Sequence, residues 1–191
     1  MGKLINKYDS IGGIDRIVEI SGVETITDKT LTAPILNTPT VNNSLLATPR
    51  EFWAASNTAI TSTTTINLNP STEAKSAWLY TGNSTATFSV NVGHASDPTN
   101  TNSLRTYLGG LSGGVGQSIT ISLALYITNS TCRLTALTID NASHTVFWQG
   151  GIAPAAGTGS ADAYDVYTFT IIKTATTPSY VIFASKTEFD N

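Results

Sequence analysis

The chain has 191 residues, room for one domain or a domain with an appendage, and only 12% of them are charged, about half the usual share. Its net charge of -3 comes without any basic cluster, which argues against a nucleic-acid partner, because Lys and Arg must displace counterions from phosphates. No apolar run approaches the ~20 residues that span a bilayer, and no apolar stretch follows Lys3, so neither membrane insertion nor a secretory signal is expected.

Thr, Ser and Asn stand where charges are missing. Thr is β-branched and suits a pleated surface, whereas Ser and Asn suit turns, so composition already leans to β structure. In chain order, Arg16 to Ile20 alternates after the Gly12-Gly13 bend and reads as a short strand or extended clasp.

Residues 22 to 51 fall into units of five. Ile26, Leu31, Leu36, Val41 and Leu46 occupy the fifth position of successive units, and Pro34, Pro39 and Pro49 the third. A period of five fits neither a helix, which repeats near 3.6, nor a strand, which repeats at 2. The aliphatic side chains share one face only if each unit bends, and Pro supplies a bend by fixing φ and removing a donor. One thin apolar row cannot bury itself. Three chains wound about an axis, or a partner surface, would cover it. The competing interpretation is a Pro/Thr-rich linker.

Thr48 and Pro49 have the chemistry of a helix start, so Pro49 to Ser56 reads as one helical turn, with Trp53 plugging the junction between arm and body. From residue 57 the pattern is β. Strands are expected at 59–61, 64–68, 77–81, 86–92, 117–126, 133–140, 145–149, 166–172 and 179–184. Turns are expected at Asn69-Pro70, Gly82-Asn83, Gly109-Gly110, Gly113-Gly114, Asp140-Asn141, Gly150-Gly151 and Thr177-Pro178, and a polar loop over 93–102. In 86–92, Ala86, Phe88, Val90 and Val92 should point inward and Thr87, Ser89 and Asn91 to solvent. No stretch beyond residue 57 shows a helical period. The fold class expected is all-β: an extended N-terminal anchoring arm over 1–51, then a β-sandwich, jelly-roll-like, over 57–191.

Chemistry is sparse. Cys132 is the single cysteine and reads as a buried structural thiol in a strand. His94 and His144 lie in polar segments without metal-ligand spacing, so no metal and no cofactor is expected. Asp140, Asp162 and Asp165 could make a glycosidase pair only if folding brings two of them into one cleft. Trp148 and Gln149 end a strand and enter a Gly/Ala-rich loop. An aromatic face beside an amide can hold a sugar, which makes these two the candidate glycan contacts; the alternative is that Phe147 and Trp148 fill the core.

The run Lys29-Thr30-Leu31-Thr32-Ala33-Pro34-Ile35-Leu36-Asn37-Thr38-Pro39-Thr40-Val41 resembles a segment near the N-termini of fibre, spike and decoration proteins of tailed bacteriophages. The stretches Trp148-Gln149-Gly150-Gly151 and Asp165 to Thr174 resemble their C-terminal domains. The resemblance implies a trimeric virion component without enzymatic activity, made in the host cytoplasm. It would be a capsid decoration or cement protein or a short fibre, with other virion proteins as partners, or a tail-fibre tip that binds a host-surface glycan. Ile26, Leu31, Leu36, Val41, Leu46 and Trp53 would carry the trimer or anchor contacts.

Overall fold

The structure, a computed structural model, describes residues 53–73, 75–110, 113–155, 161–177 and 179–190. Ile26, Leu31, Leu36, Val41 and Leu46, with the whole expected arm, lie outside the described residues.

Among the described residues, ten strands, two single-turn α-helices and one 3-10 turn follow in order: β1 Trp53–Ser56, β2 Thr64–Leu68, α1 Pro70–Glu73, β3 Ala77–Ser84, β4 Phe88–Val92, α2 Leu104–Tyr107, β5 Ser118–Ile127, β6 Leu134–Ile139, β7 Ala142–Ser143, β8 Val146–Trp148, the 3-10 turn Gln149–Gly151, β9 Ala163–Ala175 and β10 Ser179–Phe189. They form a six-stranded sheet, β1-β3-β5-β9-β10-β8, and a four-stranded sheet, β2-β4-β6-β7.

From β1 to β6 the chain crosses from one sheet to the other at every strand. It returns each time in the same direction, so β1, β3 and β5 are parallel neighbours, as are β2, β4 and β6. This coil-on-coil winding satisfies each strand's backbone on the next turn of the coil. A jelly roll instead pairs its neighbours antiparallel. Antiparallel pairing enters later, in β5–β9–β10 and in β6–β7. The β6–β7 connection is the two-residue turn expected at Asp140-Asn141, both with positive φ (49° and 64°), the geometry that matches hairpin twist.

Facing residues of the two sheets fill one core. Ile66, Leu68, Phe88, Val90, Val92, Leu137 and Ile139 from the smaller sheet meet Trp78, Ile121, Leu123, Leu125, Tyr167, Phe169 and Ile171 from the larger. The Phe88 and Tyr167 rings touch edge to face across the gap, centroids 5.7 Å apart. All-β character and two packed sheets are therefore as expected.

Several local expectations change, and Gly82-Asn83, expected as a turn, lies within strand β3. Trp53–Ser56 is not a helical turn but edge strand β1, in parallel register with Ala77–Tyr80, so the β domain begins before residue 57. An isolated helical turn fixes several residues for one hydrogen bond, while β3 offers a ready ladder. Trp53 accordingly is no plug: it is 41% exposed. Residues 59–61 form no strand. Asn91, expected at the surface, is buried, because its amide joins Asn67, Thr138, the His94 carbonyl and the Asn141 N–H.

The helix α2, missed by periodicity because it is a single turn, is fixed at both ends. Ser103 caps it, its Oγ accepting from the Thr106 N–H at 3.1 Å. The Asp140 carboxylate accepts from the N–H groups of Leu104 (2.8 Å), Arg105 (3.1 Å) and His94 (2.8 Å). At the other end the buried Lys173 ammonium donates to the carbonyls of Leu108 (3.1 Å), Gly113 (2.8 Å) and Gly110. Anion at the N-terminus and cation at the C-terminus both match the backbone partial charges.

Candidate functional site

Strand β8 is the far edge of the larger sheet and runs parallel to β10, with Phe147 opposite Phe183 and Trp148 opposite Ala184. Alternation sends Val146 and Trp148 inward and Phe147 outward. Trp148 is half-buried and packs on the rim of the core, while Phe147 is 53% exposed. The core-filling alternative holds only in part: Trp148 packs against the core, and Phe147 does not.

Two clefts share the Trp148 wall. The first, about 430 Å³, lies between β6 and β8 and is lined by Arg133 to Leu137, Ser143, His144, Val146 and Ala153-Pro154. The second, about 380 Å³, runs beside β10 and is lined by Gln149, Ile152 to Ala155, Ser185 and Lys186. Both volumes lie in the range of small-ligand sites. Trp148 and Gln149 thus stand together on the second cleft, with the Lys186 cation added. Sequence reading did not find Lys186. Its signal, a cation two residues from Glu188 in a strand-like run, was present but gave no direction in space.

The three aspartates do not converge. Asp140 spends its oxygens on backbone amides, and Asp165 pairs with Lys186 at 2.9 Å inside the sandwich. Asp162 sits at the surface with positive φ, accepting from Tyr126 Oη at 3.4 Å. None of them lines either cleft. Burial raises the Asp140 and Asp165 pKa values above the usual carboxylate range, opposed by the backbone N–H bonds at Asp140 and by Lys186 at Asp165.

The histidines also have structural surroundings. His94 Nδ1 accepts from the N–H groups of Ser96 and Asp97. His144 packs edge-on against Tyr180, and burial lowers its pKa, with Asp140 pulling the other way. Cys132 is buried as expected, but in the turn before β6 rather than in a strand; burial, with the Asp165 charge, pushes its thiol up to about 11. No three His, Cys, Asp or Glu side chains among the described residues are grouped to hold a metal.

The outer faces of the two sheets differ. The smaller sheet carries hydroxyl and amide ladders: Thr63 to Thr87 (3.3 Å), Thr65 to Ser89 (2.8 Å) and Asn67 to Asn91 (3.2 Å). On the larger sheet every charged residue, Asp165, Lys173, Lys186 and Glu188, has inward parity, in register with Tyr167, Phe169 and their neighbours. The outward parity holds no charge. It presents Trp53, Phe147, Phe183 and Phe189, each 41–57% exposed, beside Thr, Ser, Ala and Val and the larger Leu79, Tyr126, Tyr164 and Ile172. Hydroxyls such as Ser118, Thr120, Thr168 and Thr170 still point outward, as in an ordinary sandwich; only the placement of the charges departs from it. No protein family, curated protein or solved structure matches the chain.

Proposed function

We propose that the protein is a non-enzymatic structural component of a tailed-bacteriophage particle, a homotrimer held to the particle by its N-terminal arm as a capsid decoration, cement or short fibre protein. The observation that carries this reading is the aliphatic row Ile26, Leu31, Leu36, Val41 and Leu46, which is too narrow to cover itself and needs sister chains or a host surface. The Phe147–Phe183 pair on the outer sheet face, half-exposed with ring centroids 6.1 Å apart, supports it, since adjoining exposed apolar side chains suit an association surface. Leu36→Asp is expected to lower the assembly mass of the purified chain, read by light scattering. An unchanged mass and unchanged particle binding in that variant would contradict the reading.

One observation favours a second reading, a glycan-binding fibre tip. Trp148 offers a ring between two clefts with Gln149 and Lys186 beside it, so a sugar could stack on the ring while its hydroxyls meet the amide and ammonium. A glycan array probed with the wild type and with Trp148→Ala should show hits lost in the variant. An array with no wild-type hit removes this reading.

A further inference from the structure

We infer that Lys186 and Asp165 join in the folded chain, the lysine nitrogen and the aspartate carboxyl carbon condensing to an amide that ties β10 covalently to β9. The inference goes beyond the particle reading and does not rest on it.

Strand register makes the placement. Asp165 lies opposite Glu188, and Tyr167 opposite Lys186, on the antiparallel β9–β10 pair, all with inward parity. Amine, acid, second carboxyl and phenol therefore meet on the inner face of the sheet. Lys186 Nζ is 2.9 Å from Asp165 Oδ2 and 3.5 Å from Glu188 Oε2. Tyr167 Oη donates to the same Asp165 oxygen at 3.4 Å and accepts from the Leu134 N–H at 3.3 Å. The Asp165 side chain is 2% exposed, that of Lys186 16% and that of Glu188 27%.

Burial works against leaving such a pair ionised, because attraction between two charges often fails to repay their lost hydration. Passing the ammonium proton to the carboxylate gives a neutral amine in contact with a neutral acid. Burial tightens the hold of Asp165 on that proton, with Lys186 opposing. Groups held in reacting position behave as if at concentrations of about 10⁵ M or more. The amide takes both charges out of the interior, so the burial that penalises the ion pair favours the product. Lys173, buried on the same strand pair, instead faces backbone carbonyls, which are amides already.

In the step itself, the Lys186 nitrogen lone pair forms the N–C bond to Asp165 Cγ. The carbonyl π pair moves onto oxygen, where the Tyr167 hydroxyl can donate to it. Glu188 takes the extra proton from nitrogen and returns it to the departing hydroxyl. The C–O bond breaks, the C=O bond re-forms and one water leaves. Nothing is oxidised or reduced, and no co-reactant enters. The product closes the β9–β10 hairpin into a covalent loop and restricts the unfolded chain as a disulfide does. It also takes the Lys186 cation out of the second cleft, leaving Trp148 and Gln149 there. Asp165 titrates only in chain that has not reacted, the state that Glu188→Gln preserves.

The test is intact-mass spectrometry of the full chain, denatured after purification and storage at neutral pH. The wild type should weigh one water less than its sequence requires, and fragmentation should place the loss on a link between residues 165 and 186. Lys186→Arg keeps the cation but not the amine, and should show its full sequence mass. Glu188→Gln should react about a hundredfold more slowly or worse. A wild type that is folded by circular dichroism and has its full sequence mass would overturn the inference. So would a water loss mapped elsewhere, or one that persists in Lys186→Arg. The bond lies within one chain, so its absence leaves the trimer reading standing, and a monomeric wild type leaves the bond standing.

Discussion

Asp140 shows how one residue can organise a region. It joins the tight β6–β7 turn to the start of α2 and to the His94 loop through three backbone N–H groups. Gly93, with φ 97°, lies against it, and a Cβ there would collide with the Asp140 carboxylate and Leu104. An amide at 140 can accept with only one oxygen, so Asp140→Asn is expected to lower unfolding free energy by about 2–3 kcal/mol, measured by urea unfolding. A change within experimental scatter would contradict the clamp. The raised pKa values of Asp140 and Asp165 have a definite sign. Their folded state holds the proton more tightly than the unfolded chain, so they stabilise most at pH below the ordinary carboxylate value, and that contribution is lost as pH rises through the folded value. Carbon-detected titration of the two carboxyl groups should give midpoints above those of free Asp; midpoints below would refute the assignment to burial. Cys132, at about 11, is a neutral thiol at pH 7. It should resist alkylation in the native protein and react on denaturation.

At the scale of elements, the strands with clean alternation were legible in the sequence. The span 64–68 matches β2, and 117–126 matches β5 within one residue. Strand existence follows from side-chain period, which is local. Strand partners are not local, so the coil-on-coil winding could not be read from the same pattern. Helices α1 and α2 escaped because a single turn shows no period, although Asn69 and Ser103 are ordinary capping residues. The outward aromatic face had a signal: Tyr180 to Ala184 is continuously apolar instead of alternating, which means that both faces want cover. Lys173 left no such trace, because a cation in a β run reads as solvent-facing until its carbonyl cage is seen. Lys173→Met should speed amide hydrogen exchange over residues 105–110, where its carbonyl partners lie. Unchanged exchange there would show that the cage is not what holds α2. In the core, Phe88→Ala removes a fully buried ring from between the sheets and is expected to cost about 3–5 kcal/mol.

For the whole molecule, the arm and the sheet face are unusual in different ways. The arm has one aliphatic row with no second row to meet it. The domain has a broad uncharged face with its charges turned to the inside. Under the proposed homotrimer, neighbouring chains would cover the aliphatic row. The most direct measurement is native mass spectrometry of the wild-type full chain from sub-micromolar to tens of micromolar concentration. A species of three chain masses that persists on dilution is the predicted result; a single-chain mass throughout that range would contradict the account.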